Sequence, residues 1–210
     1  GFDHATAFPQ ASPLQMSAPD GFVGAVGGSG KIVATNGFQD VSLLNFHGEV
    51  TFDSSFNRGG DVVRLPGSAA DYTVSTMGSV ARIENGDLTA MIPIGTVGIT
   101  IAFEDSVGKL FYNADFDRVQ LGNRSVSNAP SAVKGVSQSL PAPAADVDAT
   151  AQIVLSPGGY YEFHGEFNIL GTNQLERVKL VGGATLDASF SKGGDELLLT
   201  HEADNYTARL

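Results

Sequence analysis

The chain has 210 residues, enough for one domain or two small ones and for a sizeable core. Acids outnumber bases 23 to 12, giving a formal charge of −11. That excludes a nucleic-acid binder built on clustered Lys and Arg, and a protein held to anionic membranes by charge. Cysteine is absent, so there is no disulfide framework, thiol nucleophile or thiolate metal site.

Residues 1–28 read as an irregular arm, broken by Pro9, Pro13, Pro19 and the glycines between Gly21 and Gly28. No apolar signal-peptide core occurs in the first 20 residues, and the first residue is Gly1. The sequence therefore reads as a processed product or a piece of a larger protein. Residues 29–126 form a first β-repeat unit, 127–149 a Pro- and Ala-containing linker, and 150–210 a second, incomplete unit. Within the first unit, strands are expected at 72–77, 79–84, 89–94, 99–104, 109–113 and 118–121. Gly78, Asn85-Gly86 and Ser106 to Gly108 serve as connections. Apolar runs such as Met91–Ile94 and Ile99–Phe103 are strand length, far below the roughly 20 residues of a membrane span, so no membrane insertion is expected. Helical spacing is nowhere sustained, and the class is all-β.

An internal repeat dominates. Residues 51–76 align with 185–210 at an offset of 134 without a gap, with 11 identities in 26 positions. The shared core is Asp-x-Ser-Phe-x-x-Gly-Gly-Asp, followed by Leu, Ala and Tyr-Thr. A shorter period runs inside each unit: Gly30-Lys-Ile-Val-Ala resembles Gly48-Glu-Val-Thr-Phe, and Gly165-Glu-Phe-Asn-Ile resembles Gly182-Gly-Ala-Thr-Leu. Steps of 17 to 20 residues suit one turn of a parallel β-solenoid, with each inward aliphatic above that of the rung below. The expected architecture is solenoid-like rungs plus an antiparallel meander; an antiparallel β-sandwich is the alternative. The second unit stops where the first continues for about 50 residues, which predicts an open edge able to pair with another chain.

Candidate ligand positions lie in the repeated turn. Asp53, Asn57 and Asp61 recur as Asp187, Ser191 and Asp195. Oxygen donors on loop positions suit Ca²⁺, which takes six to eight hard oxygens in irregular geometry. The same residues also suit a tight turn in which Asp bonds nearby N–H groups. Glu104-Asp105, Asp115 and Asp117 read as solvated loop acids, and His47 and His164 as turn residues. No nucleophile elbow, P-loop, dinucleotide fingerprint or zinc-protease motif is present, so no enzyme is expected. Glu162 and Glu166, near Tyr160, Tyr161 and Phe163, are the nearest approach to a paired-carboxylate, sugar-stacking face.

The Asp-Ser/Ala-Ser-Phe-x-x-Gly-Gly-Asp element resembles modules of large secreted proteobacterial surface proteins: calcium-dependent (RTX-like) repeat adhesins, surface-layer proteins and exported hydrolases of type I secretion. Ile92-Pro-Ile-Gly-Thr-Val-Gly through Phe103-Glu-Asp, Leu110-Phe-Tyr and Val119-Gln-Leu-Gly are similar to the later part of such modules. The full calcium nonapeptide is absent; Gly59-Gly60-Asp61 and Gly193-Gly194-Asp195 keep part of it. The resemblance implies secretion, calcium-dependent folding and a place at the bacterial cell surface. The expected function is a non-enzymatic structural segment of a surface layer, adhesin or filament. Its partners would be copies of itself, neighbouring repeats or surface polysaccharide. A carbohydrate-binding module of a secreted hydrolase is the alternative.

Overall fold

The computed structural model describes residues 13–137 and 149–200, and no α-helix occurs among them. β1 (Leu14–Ala18) and β2 (Val23–Gly27) make one coil, and β3 (Gly30–Ala34) and β4 (Asp40–Leu43) the next. β5 (Gly48–Phe52) and β6 (Val62–Arg64) make a third. A hairpin of β7 (Thr73–Met77) and β8 (Val80–Glu84) interrupts, and β9 (Leu88–Pro93) and β10 (Ile99–Ala102) form a fourth. β1, β3, β5 and β9 stack in parallel as one sheet. β2, β4, β6 and β10 stack in parallel as the other. The chain is thus a parallel β-solenoid over these coils, and the sandwich alternative is not what forms.

The second unit repeats the plan. β15 (Ala151–Val154) pairs in parallel with the end of β16 (Tyr160–Leu170), and β16 pairs in parallel with β17 (Arg177–Leu186) from Tyr160 to Ile169. β17 then pairs in parallel with β18 (Glu196–Leu199). The two units meet at their first coils. β15 runs antiparallel to β1, and β16 antiparallel to β2, so the solenoids join head to head.

The remaining strands close the far end of the first unit. β11 (Val107–Asn113) lies antiparallel on β10, followed by β12 (Arg118–Leu121) and β13 (Arg124–Val126). β8 lies antiparallel on β9, and β14 (Ser131–Ala132) on β7. The expected strands over 72–121 therefore exist. However, β9 and β10 are successive strands of one coil rather than neighbours in a meander. Residues 14–27, expected as part of the irregular arm, are β1 and β2 of the first coil. The rest of that arm, 1–12, lies outside the described residues, as do 138–148 of the linker.

Registers place like side chains above one another. Phe52, Ile32, Met16, Ile153, Ile169 and Leu186 form one inward ladder across both units. Leu43, Val26, Phe163, Leu180 and Leu199 form a second. Burying each such side chain contributes about 1.5–3 kcal/mol, so the ladders are the main cohesive force between coils. The corners explain the Gly-x-Val/Ile pattern. A Cβ on Gly30 would lie 2.2 Å from the Leu14 carbonyl oxygen, and one on Gly182 would lie 2.3 Å from that of Gly165. Only glycine lets one corner settle on the next.

Candidate functional site

The repeated turn does the same work in both units. Asp53 caps the short 3-10 turn Ser54–Asn57: its Oδ1 accepts from the Ser55 N–H at 3.0 Å and from the Ser55 hydroxyl. Asp187 begins the equivalent turn, accepting from the Ser189 hydroxyl and from the Gly171 N–H at 3.1 Å. The Ser189 hydroxyl is the main reason that the Asp187 carboxyl sits below its ordinary range. Phe56 packs beneath the first turn, fully buried and edge-on to Phe52 at 4.8 Å. Asp53 and Asp187 are thereby committed to backbone and hydroxyl groups of their own turns.

Asp61 and Asp195 reach to the coil before. Asp61 Oδ1 accepts the Gln39 N–H at 2.8 Å, and Asp195 Oδ1 accepts the Glu176 N–H at 2.7 Å. The flanking backbone bonds match as well: Val62 N–H to the Gln39 carbonyl and Glu196 N–H to the Glu176 carbonyl, both 2.9 Å. The paired glycines permit this approach. A Cβ on Gly59 would fall 1.5 Å from the Gly37 oxygen, and one on Gly193 would fall 2.1 Å from the Gln174 oxygen. Gly60 and Gly194 turn the chain at φ near +75. The Gly-Gly-Asp element is a rung-to-rung clasp, and its recurrence in sequence is a recurrence of contact.

That clasp leaves buried oxygens unmatched. Among the described residues, Asp61 Oδ2, Asn57 Oδ1, Gln39 Oε1 and Asp195 Oδ2 are buried without a hydrogen-bond partner. All four are acceptors, and three belong to residues read from the sequence as ligands. Asp61 is wholly buried. Desolvation pushes its carboxyl up to about 6, with the charge of Asp20 adding to the effect and backbone N–H groups opposing it. Among the described residues no cluster of three or more His, Cys, Asp or Glu side chains could hold a metal. A hard cation there would have to be completed by amide and backbone oxygens.

The carboxylates first considered for acid–base chemistry are otherwise engaged. Glu162 Oε1 accepts from Lys179 Nζ and pairs with His164 Nε2, each at 2.8 Å. Burial alone would raise the Glu162 carboxyl, but the Lys179 and His164 bonds outweigh it and hold it below its ordinary range. That is the wrong direction for a general acid. Glu166 accepts from the Gly183 N–H at 3.1 Å. Tyr161 and Phe163 are fully buried. The sugar-stacking face expected from Tyr160, Tyr161 and Phe163 is therefore corrected, because strand alternation puts two of the three inside.

Of the loop acids, Asp105 accepts the Ala69 N–H at 3.0 Å at the start of the 3-10 turn Ala69–Asp71, which Ser68 caps, and Asp117 accepts from the Tyr112 hydroxyl at 2.5 Å. His47 is exposed beside Asp87, at 3.1 Å. A feature that sequence reasoning missed is a groove of about 1160 Å³ where the two units meet. It is lined by Gln15, Lys31, Phe46, His47, Glu49 and Tyr160 among others. The Phe46 and Tyr160 rings lie nearly parallel in it, 5.8 Å apart, although 114 residues separate them in sequence. No protein-family model matches the chain, and neither a curated protein nor a solved structure shows significant similarity to it.

Proposed function

We propose that the chain is a non-enzymatic structural module of a bacterial cell-surface assembly, such as a surface layer, adhesin or filament. In this reading its coils are held by Gly-Gly-Asp clasps and supported by calcium. The observation that carries the reading is what the repeated residues do. Asp53, Ser55, Phe56, Gly59, Gly60 and Asp61, with their counterparts in the second unit, are mainly spent on turn, core and coil-to-coil contacts. A repeat whose shared residues are architectural fits a protein whose function is to extend and connect. Calcium near Asp61 and Asp195, with Asn57 and Gln39 as neutral oxygen donors, would answer the four unmatched acceptors and neutralise part of the −11 charge. Asp53 and Asp187 fit a ligand role less well, since their turns already occupy them.

The test is thermal melting by circular dichroism, in EDTA and across a calcium titration. The reading expects a gain in melting temperature with calcium in the wild type that is reduced in Asp61→Ala and lost in the double variant Asp61→Ala/Asp195→Ala. An unchanged melt would reduce the clasps to turns without a cation and remove calcium from the proposal.

The groove favours carbohydrate as a second reading. Its near-parallel Phe46 and Tyr160 rings, flanked by Gln15, Lys31 and Glu49, offer an apolar surface with hydrogen-bonding groups around it. Glycan-array binding that disappears in Tyr160→Ala would support it. An array without binding would leave only the structural reading.

A further inference from the structure

The clasps of the two units share a frame and differ in their side chains. In the first unit the Gly21 N–H donates to the Phe38 carbonyl and the Asp40 N–H to the Phe22 carbonyl. In the second the Gly158 N–H donates to the Leu175 carbonyl and the Arg177 N–H to the Gly159 carbonyl. These bonds make Pro157 the counterpart of Asp20, and Glu176 the counterpart of Gln39. Thr35 bonds the Gln39 side chain as Thr172 bonds that of Glu176. Gly37 and Gln174 correspond too, since their carbonyl oxygens lie against Gly59 and Gly193.

The first clasp brings two carboxylates onto one turn. Asp61 reaches back from the third coil to the Gln39 N–H. Asp20 reaches forward from the first coil, and a Cβ on Gly37 would lie 1.3 Å from its Oδ1. The missing side chain of Gly37 is therefore the room that the Asp20 carboxylate fills. Both acids converge on residues 35–39, and the charge of Asp20 is felt at Asp61. Among the described residues no hydrogen bond or ion pair engages the Asp20 carboxylate. Gln39 is wholly buried, and its amide nitrogen donates to Thr35 Oγ1 at 2.9 Å and to the Pro19 carbonyl at 3.2 Å. Its Oε1, like Asp61 Oδ2, is buried without a partner. Two carboxylates and an amide oxygen that meet without a donor suit a hard cation. Asp20 is exposed, so an ion there keeps water on that side.

The second clasp lacks this convergence. Pro157 offers no carboxylate, and Gln174 carries a Cβ where Gly37 leaves room. Glu176 is wholly buried, but its oxygens accept the Thr172 N–H at 3.1 Å and the Thr172 hydroxyl. Of these side chains only Asp195 keeps a buried oxygen without a partner.

We propose that Asp20 is a calcium ligand, and that the clasp of Asp20, Gln39 and Asp61 is the tighter of two unequal calcium sites. This rests on the calcium-supported reading above and adds a ligand that lies outside the repeated segment.

The test is isothermal titration of the full chain with calcium chloride after chelator treatment. The wild type should bind one ion tightly and a second about tenfold more weakly or worse, because ligand charge sets affinity. Asp20→Asn should weaken the tight step by about tenfold or more and leave the weak one unchanged. Asp195→Asn should remove the weak step alone. Pro157→Asp with Gln174→Gly rebuilds the first arrangement in the second unit and should tighten the weak step. In EDTA, Asp20→Asn should melt no lower than the wild type, because it relieves repulsion at Asp61. A lower melt in EDTA would make Asp20 a structural contact and overturn the assignment. Two equal steps, or a tight step indifferent to Asp20→Asn, would overturn it as well. Those results leave calcium in the proposed function, whereas a titration without binding removes it, so the two failures are distinguishable.

Discussion

Asp61→Asn isolates the cost of the clasp. In the wild type the carboxylate gives one oxygen to the Gln39 N–H and buries the other without a partner. Burial pushes its carboxyl from the ordinary value of 3.8 up to about 6. Ionising it in the fold therefore costs about 3 kcal/mol relative to the unfolded chain. The folded form holds the proton more tightly than the unfolded form. The associated stability is fully present below about pH 3.8 and is lost as the pH rises through 6. Asparagine keeps the oxygen that faces Gln39 and removes the charge, but its amide N–H₂ takes the place of the unpartnered Oδ2, which costs about 1–2 kcal/mol. In EDTA at pH 7 the variant should gain about 1–2 kcal/mol, or roughly 2–8 °C in melting temperature for a chain of this size. Other carboxylates titrate in the same range, so the informative quantity is the difference between the two proteins at each pH from 7 to 4. That advantage should shrink as the pH falls and reverse sign near pH 4–5. An advantage independent of pH, or a variant less stable at pH 7 without calcium, would refute the argument that desolvation governs this carboxyl.

Gly59→Ala should destabilise the fold by more than about 3 kcal/mol, because its Cβ would fall on the Gly37 carbonyl oxygen. Gly78→Ala, at φ +63 with open space around it, should cost only about 1 kcal/mol, and urea unfolding compares the two. Phe56→Ala should cost about 3–5 kcal/mol, as for any fully buried aromatic, and Phe190→Ala less than half of that in a monomer. If the two repeats respond alike, the repeated turn of the second unit is covered as well as that of the first.

The repeat was legible because its identities fall where backbone meets backbone: an alanine at Gly59 or Gly193 would collide with the coil before it. The coil spacing was legible for a related reason, since corner glycines and inward aliphatics must align from rung to rung. The first coil was missed because its packing demands small residues. A Cβ on Gly24 would press within 2.5 Å of the Phe22 ring, and one on Gly27 within 2.5 Å of the Phe46 ring. The sequence Val-Gly-Ala-Val-Gly therefore reads as loop while it forms β2. The groove and the Glu162–Lys179–His164 cluster were missed because each depends on cross-strand register. Glu162 lies opposite Lys179 in β17 only through the parallel pairing, and Phe46 meets Tyr160 only through the head-to-head junction. Alternation along β16 also decides which aromatics face water, and no spacing rule separates Tyr160 from Tyr161 without the strand's orientation.

The clasp oxygen has two physical remedies, a proton or a cation, and they exclude one another. A proton on Asp61 removes the charge that would attract calcium; calcium at Oδ2 removes the reason for the carboxyl to rise to about 6. If calcium binds there, its stabilising effect must weaken as the pH falls from 7 to 5, because binding has to displace a proton that the fold holds more tightly than the solvent would. Melting temperatures on a grid of calcium concentration and pH measure this coupling directly. The calcium-dependent gain should be largest at pH 7 and mostly gone at pH 5, and Asp61→Asn should flatten both axes. A gain that persists unchanged at pH 5, or survives in the double variant Asp61→Asn/Asp195→Asn, would place the ion among exposed carboxylates and away from the coil-to-coil clasps.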